Sequence, residues 1–245
     1  MQAKTNATRT ILATVKGRNR MYTPKKFNQT DIGKLKGIMV DYPFATLVAF
    51  SKSGLDAHHI PLLVSERKGA IFLQGHIAKA NPLWKELDDR SNVLAVFSGP
   101  NCYISPNHYP TKQETGKAVP TWNYVSVHAK GILSFVQDKE WIYEIIDKLT
   151  IQHEGTSEGA WSISDAPESY IQRMLPAIVG LEIEVTSLSG QWKLSQNQPE
   201  RNRQGVMVGL SESNDTDKMK VGELVEAASN EGADYYSDKR HNDIS

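Results

Sequence analysis

The chain has 245 residues, of which 39% are apolar and 23% charged, an ordinary balance for a globular protein built as one large domain or two small ones. No apolar run approaches the roughly 18 residues that a helical membrane span needs. The single cysteine, Cys102, excludes an intramolecular disulfide and thiolate-rich zinc sites, and it fits a reducing compartment, so the expected location is cytoplasmic.

The formal net charge is zero but unevenly spread. Residues 1–20 hold five basic residues (Lys4, Arg9, Lys16, Arg18, Arg20) and no acid. Their composition fits an organelle transit peptide, a disordered extension, or a start codon placed too early with Met21 as the true start. The body, residues 21–210, is neutral and carries no basic footprint for nucleic acid. Residues 211–245 set nine acidic against four basic residues and are expected to be a largely disordered tail, with one or two helical turns over 220–230.

Within the body, Asn28 or Thr30 is expected to cap a short helix with Ile32, Leu35 and Ile38/Met39 at helical spacing, ended by Pro43. Phe44 to Phe50 predicts a buried strand, and Ser51-Lys52-Ser53-Gly54 a hairpin turn. Leu55 to Val64 and Ala70 to Ile77 predict the next two strands of an antiparallel meander. A short helix follows from Pro82. Asn92 to Gly99 and Asn101 to Ser105 predict two strands broken at Gly99-Pro100. Thr121 to Val136 predicts a long strand with a bulge or bend at Gly131. Asp138 is placed to cap a helix with an apolar stripe through Trp141, Ile142, Ile145, Ile146 and Leu149. Asp165 with Glu168 resembles a capping box, and Ile178 to Leu188 is the last strand. Six or seven strands with short connections predict a small closed antiparallel barrel with peripheral helices, although a sandwich would give a similar string.

The segment richest in chemistry is Gly75-His76-Ile77-Ala78-Lys79-Ala80-Asn81-Pro82. It joins a strand to a helix start, with Asn81 as cap and Pro82 at the first helical position. The helix end and the cationic side chains of His76 and Lys79 make a phosphate site, or else an ordinary turn with a surface lysine. His58 and His59 are adjacent on a strand, point to opposite faces and cannot chelate one metal together. Cys102 reads as a small core residue rather than a nucleophile. Trp122 in Trp122-Asn123-Tyr124 could stack on a planar ring or simply pack in a barrel.

Several motifs in order resemble one family. They are Met21-Tyr22-Thr23-Pro24, Tyr42-Pro43-Phe44-Ala45-Thr46-Leu47, the 75–84 segment through Leu83-Trp84, Pro120-Thr121-Trp122-Asn123-Tyr124 and Trp192-Lys193-Leu194-Ser195-Gln196-Asn197. Over residues 21–210 the chain resembles the PaiB family, described as FMN-binding negative transcriptional regulators. The resemblance implies a mainly β FMN-binding split barrel of the class seen in pyridoxamine-phosphate oxidases, as a homodimer with FMN at the subunit interface. It places the FMN phosphate at His76 and Lys79, with Asn81 beyond, and the ring along the strand that contains His58, His59, Ile60 and Pro61, with His59 as the family's matching histidine. It carries over Trp122, Asn123, Lys193, Gln196 and Asn197 as pocket or cross-dimer residues. DNA is a partner only by the family description, since the charge gives it no support. A flavin-dependent oxidoreductase and a haem-binding split barrel are the other function classes that the resemblance leaves open.

Overall fold

The computed structural model describes the backbone of residues 21–155 and 157–239, and side chains as far as Asn230. The basic extension over 1–20 and residues 240–245 lie outside the described residues.

A two-residue strand β1 (Asn28–Gln29) precedes α1 (Ile32–Asp41). Asp31, rather than Asn28 or Thr30, caps α1, its carboxylate accepting from the Lys34 N–H at 3.0 Å. Asn28 is committed to pairing with Gln191 and is not free to cap. Leu35 and Met39 are the buried residues of the helix.

Next come β2 (Phe44–Ser51), β3 (Gly54–Pro61), β4 (Leu63–Arg67) and β5 (Ala70–Ala78). The expected single strand from Leu55 to Val64 is two strands, and the expected meander does not form. β3 pairs with β2, whereas β4 pairs with β5. The break falls at Leu62, which is fully buried and donates its N–H to Pro43 O at 2.9 Å.

After the one-turn helix α2 (Leu83–Glu86), β6 (Ser91–Ile104) runs through Gly99-Pro100 as one strand with an irregular register between Ser98 and Asn101. A bulge absorbs the proline that was expected to break the strand. α3 (Pro110–Thr115) leads to β7 (Thr121–Val136), whose register against the last strand shifts between Lys130 and Gly131. The extra residue is Thr186 of that last strand, so the irregularity lies opposite Gly131 and not in β7 itself. α4 (Lys139–Glu154) is capped by Asp138 as expected, and α5 (Glu168–Met174) follows. The capping box near α5 involves Ser162 and Asp165 around a short 3-10 turn, not Asp165 with Glu168. β8 (Ile178–Lys193) outlasts its predicted end at Leu188, because β7 and β1 pair with its second half.

The strands form one antiparallel sheet ordered β3-β2-β6-β7-β8-β5-β4, with β1 on β8. Its two end strands are joined by Leu62, so the sheet wraps into a barrel closed by the chain itself. The inner faces contribute Leu47, Leu73, Ala95, Phe97, Val127, Leu181 and Ile183, all fully buried.

The acidic C-terminal stretch is not a disordered tail over its described part. α6 (Glu200–Ser211) and α7 (Thr216–Lys239) pack together against the far end of the barrel. Val206 and Leu210 of α6 meet Val221 and Val225 of α7 in a second core that includes Cys102, Ile104 and Leu194. Each pair is spaced i, i+4, which puts it on one helix face, and this local pattern outweighs the acidic composition. Asp215 starts α7 by accepting from the Asp217 and Lys218 N–H groups at 3.0 and 3.3 Å.

We predict that Gly131→Ala is destabilising. A Cβ there would sit 2.6 Å from Glu184 O and against the Ile183 side chain. Overpacking of this kind costs about 1–3 kcal/mol, which chemical denaturation will show as a lower midpoint at unchanged slope.

Candidate functional site

The ladder between β4 and β5 begins at Leu63 and Gln74. Beyond Gln74, residues Gly75–Ala78 of β5 pair only with β8, and their other edge has no strand. β3 is the last strand at its end of the sheet and pairs only with β2. In the antiparallel alternation closed by the Ser51–Gly54 hairpin pair, Ala57 and His59 carry their backbone groups away from β2. Consistently, the Ala57 N–H donates to its neighbour's carboxylate, Asp56 Oδ1, at 2.7 Å. Two unpaired strand edges therefore face each other across a split in the barrel.

A cavity of about 540 Å³ occupies this split, lined by residues that include His58, His59, Ile60, His76, Ala78 and Asn81. Its volume is in the range of small-molecule and cofactor sites. The split closes next to Gly75, where a Cβ would lie 2.8 Å from Pro61 O. Only glycine lets β5 approach the end of β3 so closely.

The polar groups of the cavity fix one another's orientation. Asn81 Oδ1 accepts from the Leu83 N–H at 2.9 Å, which turns its Nδ2 toward His58 Nδ1, 3.3 Å away. His58 Nδ1 is thus the acceptor, and the ring proton resides on Nε2. That Nε2 is buried with no hydrogen-bond partner among the described residues; Asp56 Oδ2 lies 3.7 Å away, too far for a hydrogen bond. His76 Nδ1 is likewise buried without a partner. Burial holds the His76 pKa below the usual histidine value, so the ring is neutral near pH 7 in the free protein. Buried polar groups normally find partners. Two unpartnered ring nitrogens in one cavity fit a bound molecule that presents acceptors and donors, as the phosphate and ring edge of FMN do.

The turn beyond the cavity is rigid. Lys79 N–H donates to Ala177 O at 2.8 Å, and Lys79 O accepts from the Trp84 indole N–H at 2.9 Å. The Lys79 side chain is exposed and forms no ion pair among the described residues. α2 has only four residues, and Asn81 already occupies the Leu83 N–H. The expected helix-end attraction for an anion is therefore not available, because a macrodipole needs several aligned turns. The Lys79 ammonium remains as the cationic group of the turn, with the neutral His76 ring beside it.

Of the residues singled out in the sequence, the cavity gathers His59, His76 and Asn81, with Lys79 on the adjoining turn. The other five lie away from it. His59 pairs with Thr46, which is in register with Val96 and then His128 on β7. Trp122 is six residues further along β7, roughly 20 Å at the usual strand rise. Its indole donates to Asn101 Oδ1 at 3.0 Å and its ring meets Tyr103 edge-on. Asn123 is fully buried, donating to Ser195 Oγ at 2.9 Å. Lys193 Nζ donates to Thr121 Oγ1 at 2.6 Å, and its pKa is lowered by burial. Gln196 folds back on its own loop, accepting from Leu194 N–H and donating to Trp192 O. Asn197 is exposed. His58 is the cavity residue that strand alternation set aside: it does face opposite to His59, but on a strand with a free edge both faces border the same split. Among the described residues no cluster of side chains is arranged to hold a metal ion, and no helix is long and apolar enough to cross a membrane.

Known proteins place this architecture. The family model described as "Putative FMN-binding domain" matches residues 21–187. The protein named "Protease synthase and sporulation protein PAI 2" from Bacillus subtilis is 29% identical over 209 residues, covering 84% of this chain and 97% of that one. An uncharacterized protein from Emericella nidulans is 31% identical over 226 residues, covering 78% and 90%. Among solved structures, the FAD and heme binding protein from Mycobacterium smegmatis superposes with a TM-score of 0.51 at 14% identity, over 74% of this chain and 80% of that one, a likeness of fold. The chain belongs to the PaiB-like family of FMN-binding domains, and it folds as a split barrel with FMN as the cofactor of its family.

Proposed function

We propose that the split between β3 and β5 is where FMN binds. The carrying observation is the pair of buried, unpartnered nitrogens, His58 Nε2 and His76 Nδ1, between two unpaired strand edges. His76 and Lys79 hold the phosphate, and the ring lies along β3 beside His58 and His59. Bound FMN supplies electron-transfer chemistry; the chain supplies the anchor, the orientation and the exclusion of water.

The protein acts as a cytoplasmic homodimer with FMN at the subunit interface. The outer face of β2 and β3 supports this assembly, since Phe44, Phe50 and Leu55 on it are 65%, 75% and 73% exposed. Large apolar side chains exposed together on one sheet face mark an interaction surface. The protein serves as a negative transcriptional regulator that works through its flavin rather than by reading DNA, given its neutral body. A flavin-dependent oxidoreductase is the competing role for the same site.

The visible spectrum of the purified protein, with identification of the released ligand, tests the cofactor. Flavin bands and released FMN are expected; a Soret band, or a protein that FMN addition leaves colourless, contradicts the proposal. A gel shift with the protein's own promoter is expected to show only weak, salt-sensitive binding. Tight sequence-specific binding would instead establish direct repression.

Lys79→Glu places a like charge beside the phosphate. We predict roughly fivefold to tenfold weaker FMN binding by fluorescence titration, the lower figure reflecting solvent screening at an exposed turn. Unchanged affinity would locate the phosphate elsewhere.

The depressed pKa of His76 gives a pH test. Below the unfolded-chain value of 6.5, the unfolded chain takes up the proton more readily than the folded one, so stability is present above that pH and is lost as pH falls toward the folded pKa. His128, also lowered by burial, adds to the same slope. We predict that flavin-free protein loses stability between pH 7 and pH 5.5, that His76→Gln flattens part of this loss, and that saturating FMN does the same by favouring the protonated ring. Unfolding midpoints across this range, with and without FMN, provide the check.

A further inference from the structure

With no ladder between β3 and the end of β5, the width of the split is held by side chains. One link across it is Asn81 to His58 at 3.3 Å. A second lies outside the cavity, where α2 meets the β2–β3 hairpin. Glu86, the last residue of α2, accepts at Oε2 from Ser53 Oγ at 2.6 Å and from Ser51 Oγ at 3.2 Å. The two hydroxyl oxygens are 2.8 Å apart, and the Ser53 N–H donates to Ser51 Oγ at 3.2 Å. Ser51 is a buried polar residue at the end of β2.

Each hydroxyl has one proton to give. The short Ser53 contact takes the Ser53 proton to the carboxylate, which is the stronger, charge-assisted choice. Ser51 then has its own proton for Glu86 or for Gly54 O at 3.4 Å, while its oxygen receives the Ser53 N–H. One carboxylate thereby organises the whole turn from which β3 departs.

The same short helix is fastened to the phosphate turn, since Trp84 donates to Lys79 O and Asn81 accepts from Leu83 N–H. Glu86 therefore connects the β5 side of the split, through α2, to the β3 side, through the hairpin. None of Ser51, Ser53 and Glu86 lines the cavity.

We propose that Glu86, with Ser51 and Ser53, is a positioning clasp that sets the width of the split and so controls how long FMN is retained. This rests on the assignment of FMN to the split. The three residues act through the two walls they join, not by touching the ligand.

The test uses the full chain loaded with FMN and the variants Glu86→Ala, Ser53→Ala, their double variant and Glu86→Gln. Loss of the carboxylate link is expected to speed FMN dissociation roughly fivefold in either single variant, the worth of one partly exposed charge-assisted hydrogen bond. The double variant should be no faster than Glu86→Ala, because one link is removed twice. Glu86→Gln keeps an amide oxygen as acceptor and should recover most of the wild-type rate. Unchanged dissociation in Glu86→Ala overturns the clasp, whatever happens to its melting temperature. So does a Glu86→Gln variant as fast as Glu86→Ala.

Should wild-type protein bind no FMN, the cofactor assignment fails on its own, and hydrogen exchange on the flavin-free chain still decides the clasp. Faster exchange over residues 54–61 in Glu86→Ala supports it, and equal exchange overturns it.

Discussion

Leu62 carries the chain from one end of the sheet to the other, and the site depends on how that passage is made. A barrel can close by a full ladder between its first and last strands. Here the closing element is a single buried residue anchored to Pro43 O, and the strands on either side of it take different partners. β4 follows β5 only as far as Gln74, and β3 follows β2 throughout. What remains between β3 and the end of β5 is a seam with unspent backbone hydrogen-bonding capacity on both edges. In a protein interior such capacity is costly to leave unmet. The seam is tolerable because side chains, and a ligand, can use it.

Much of the architecture was visible in the sequence where local chemistry decides it. The alternating run at Thr121–Val136 and the cap at Asp138 needed nothing beyond their own neighbourhoods. The break at Leu62 did not show, because Leu55 to Val64 is continuously strand-like and only the choice of partner divides it. The Gly99-Pro100 step misled in the other direction, since a bulge in a long strand has the same composition as a turn. The C-terminal helices were obscured by their charge, although the i, i+4 apolar pairs that dock them were present to be read.

The site divides in the same way. His59, His76 and Asn81 were found through the family motif and stand together in the cavity. His58 stood on the strand that the resemblance gave to the ring but not among the expected binding residues, since a strand residue facing away from its neighbour is ordinarily remote from that neighbour's site; at a free strand edge that inference fails. The distinguishing signal was the pairing of His58 with the amide of Asn81, a contact between residues 23 positions apart that no spacing rule reveals. Trp122, Asn123, Lys193 and Gln196 form a separate group at the other end of β7, tied into their own hydrogen bonds. The cross-dimer role that the family resemblance gives them involves a second copy, which one chain's sequence cannot express as spacing.

The setting of Cys102 has a practical consequence. It is buried in the second core, and burial pushes its thiol pKa up to about 11, so at neutral pH it holds almost no thiolate. It is also the chain's only cysteine. A cysteine placed on the exposed hairpin tip at Lys52 would therefore be the one thiol that a maleimide dye finds quickly in the folded protein. The chain is already suited to site-specific labelling, and a fluorophore there would report movement of the β3 wall without first rebuilding the core to remove a competing sulfur.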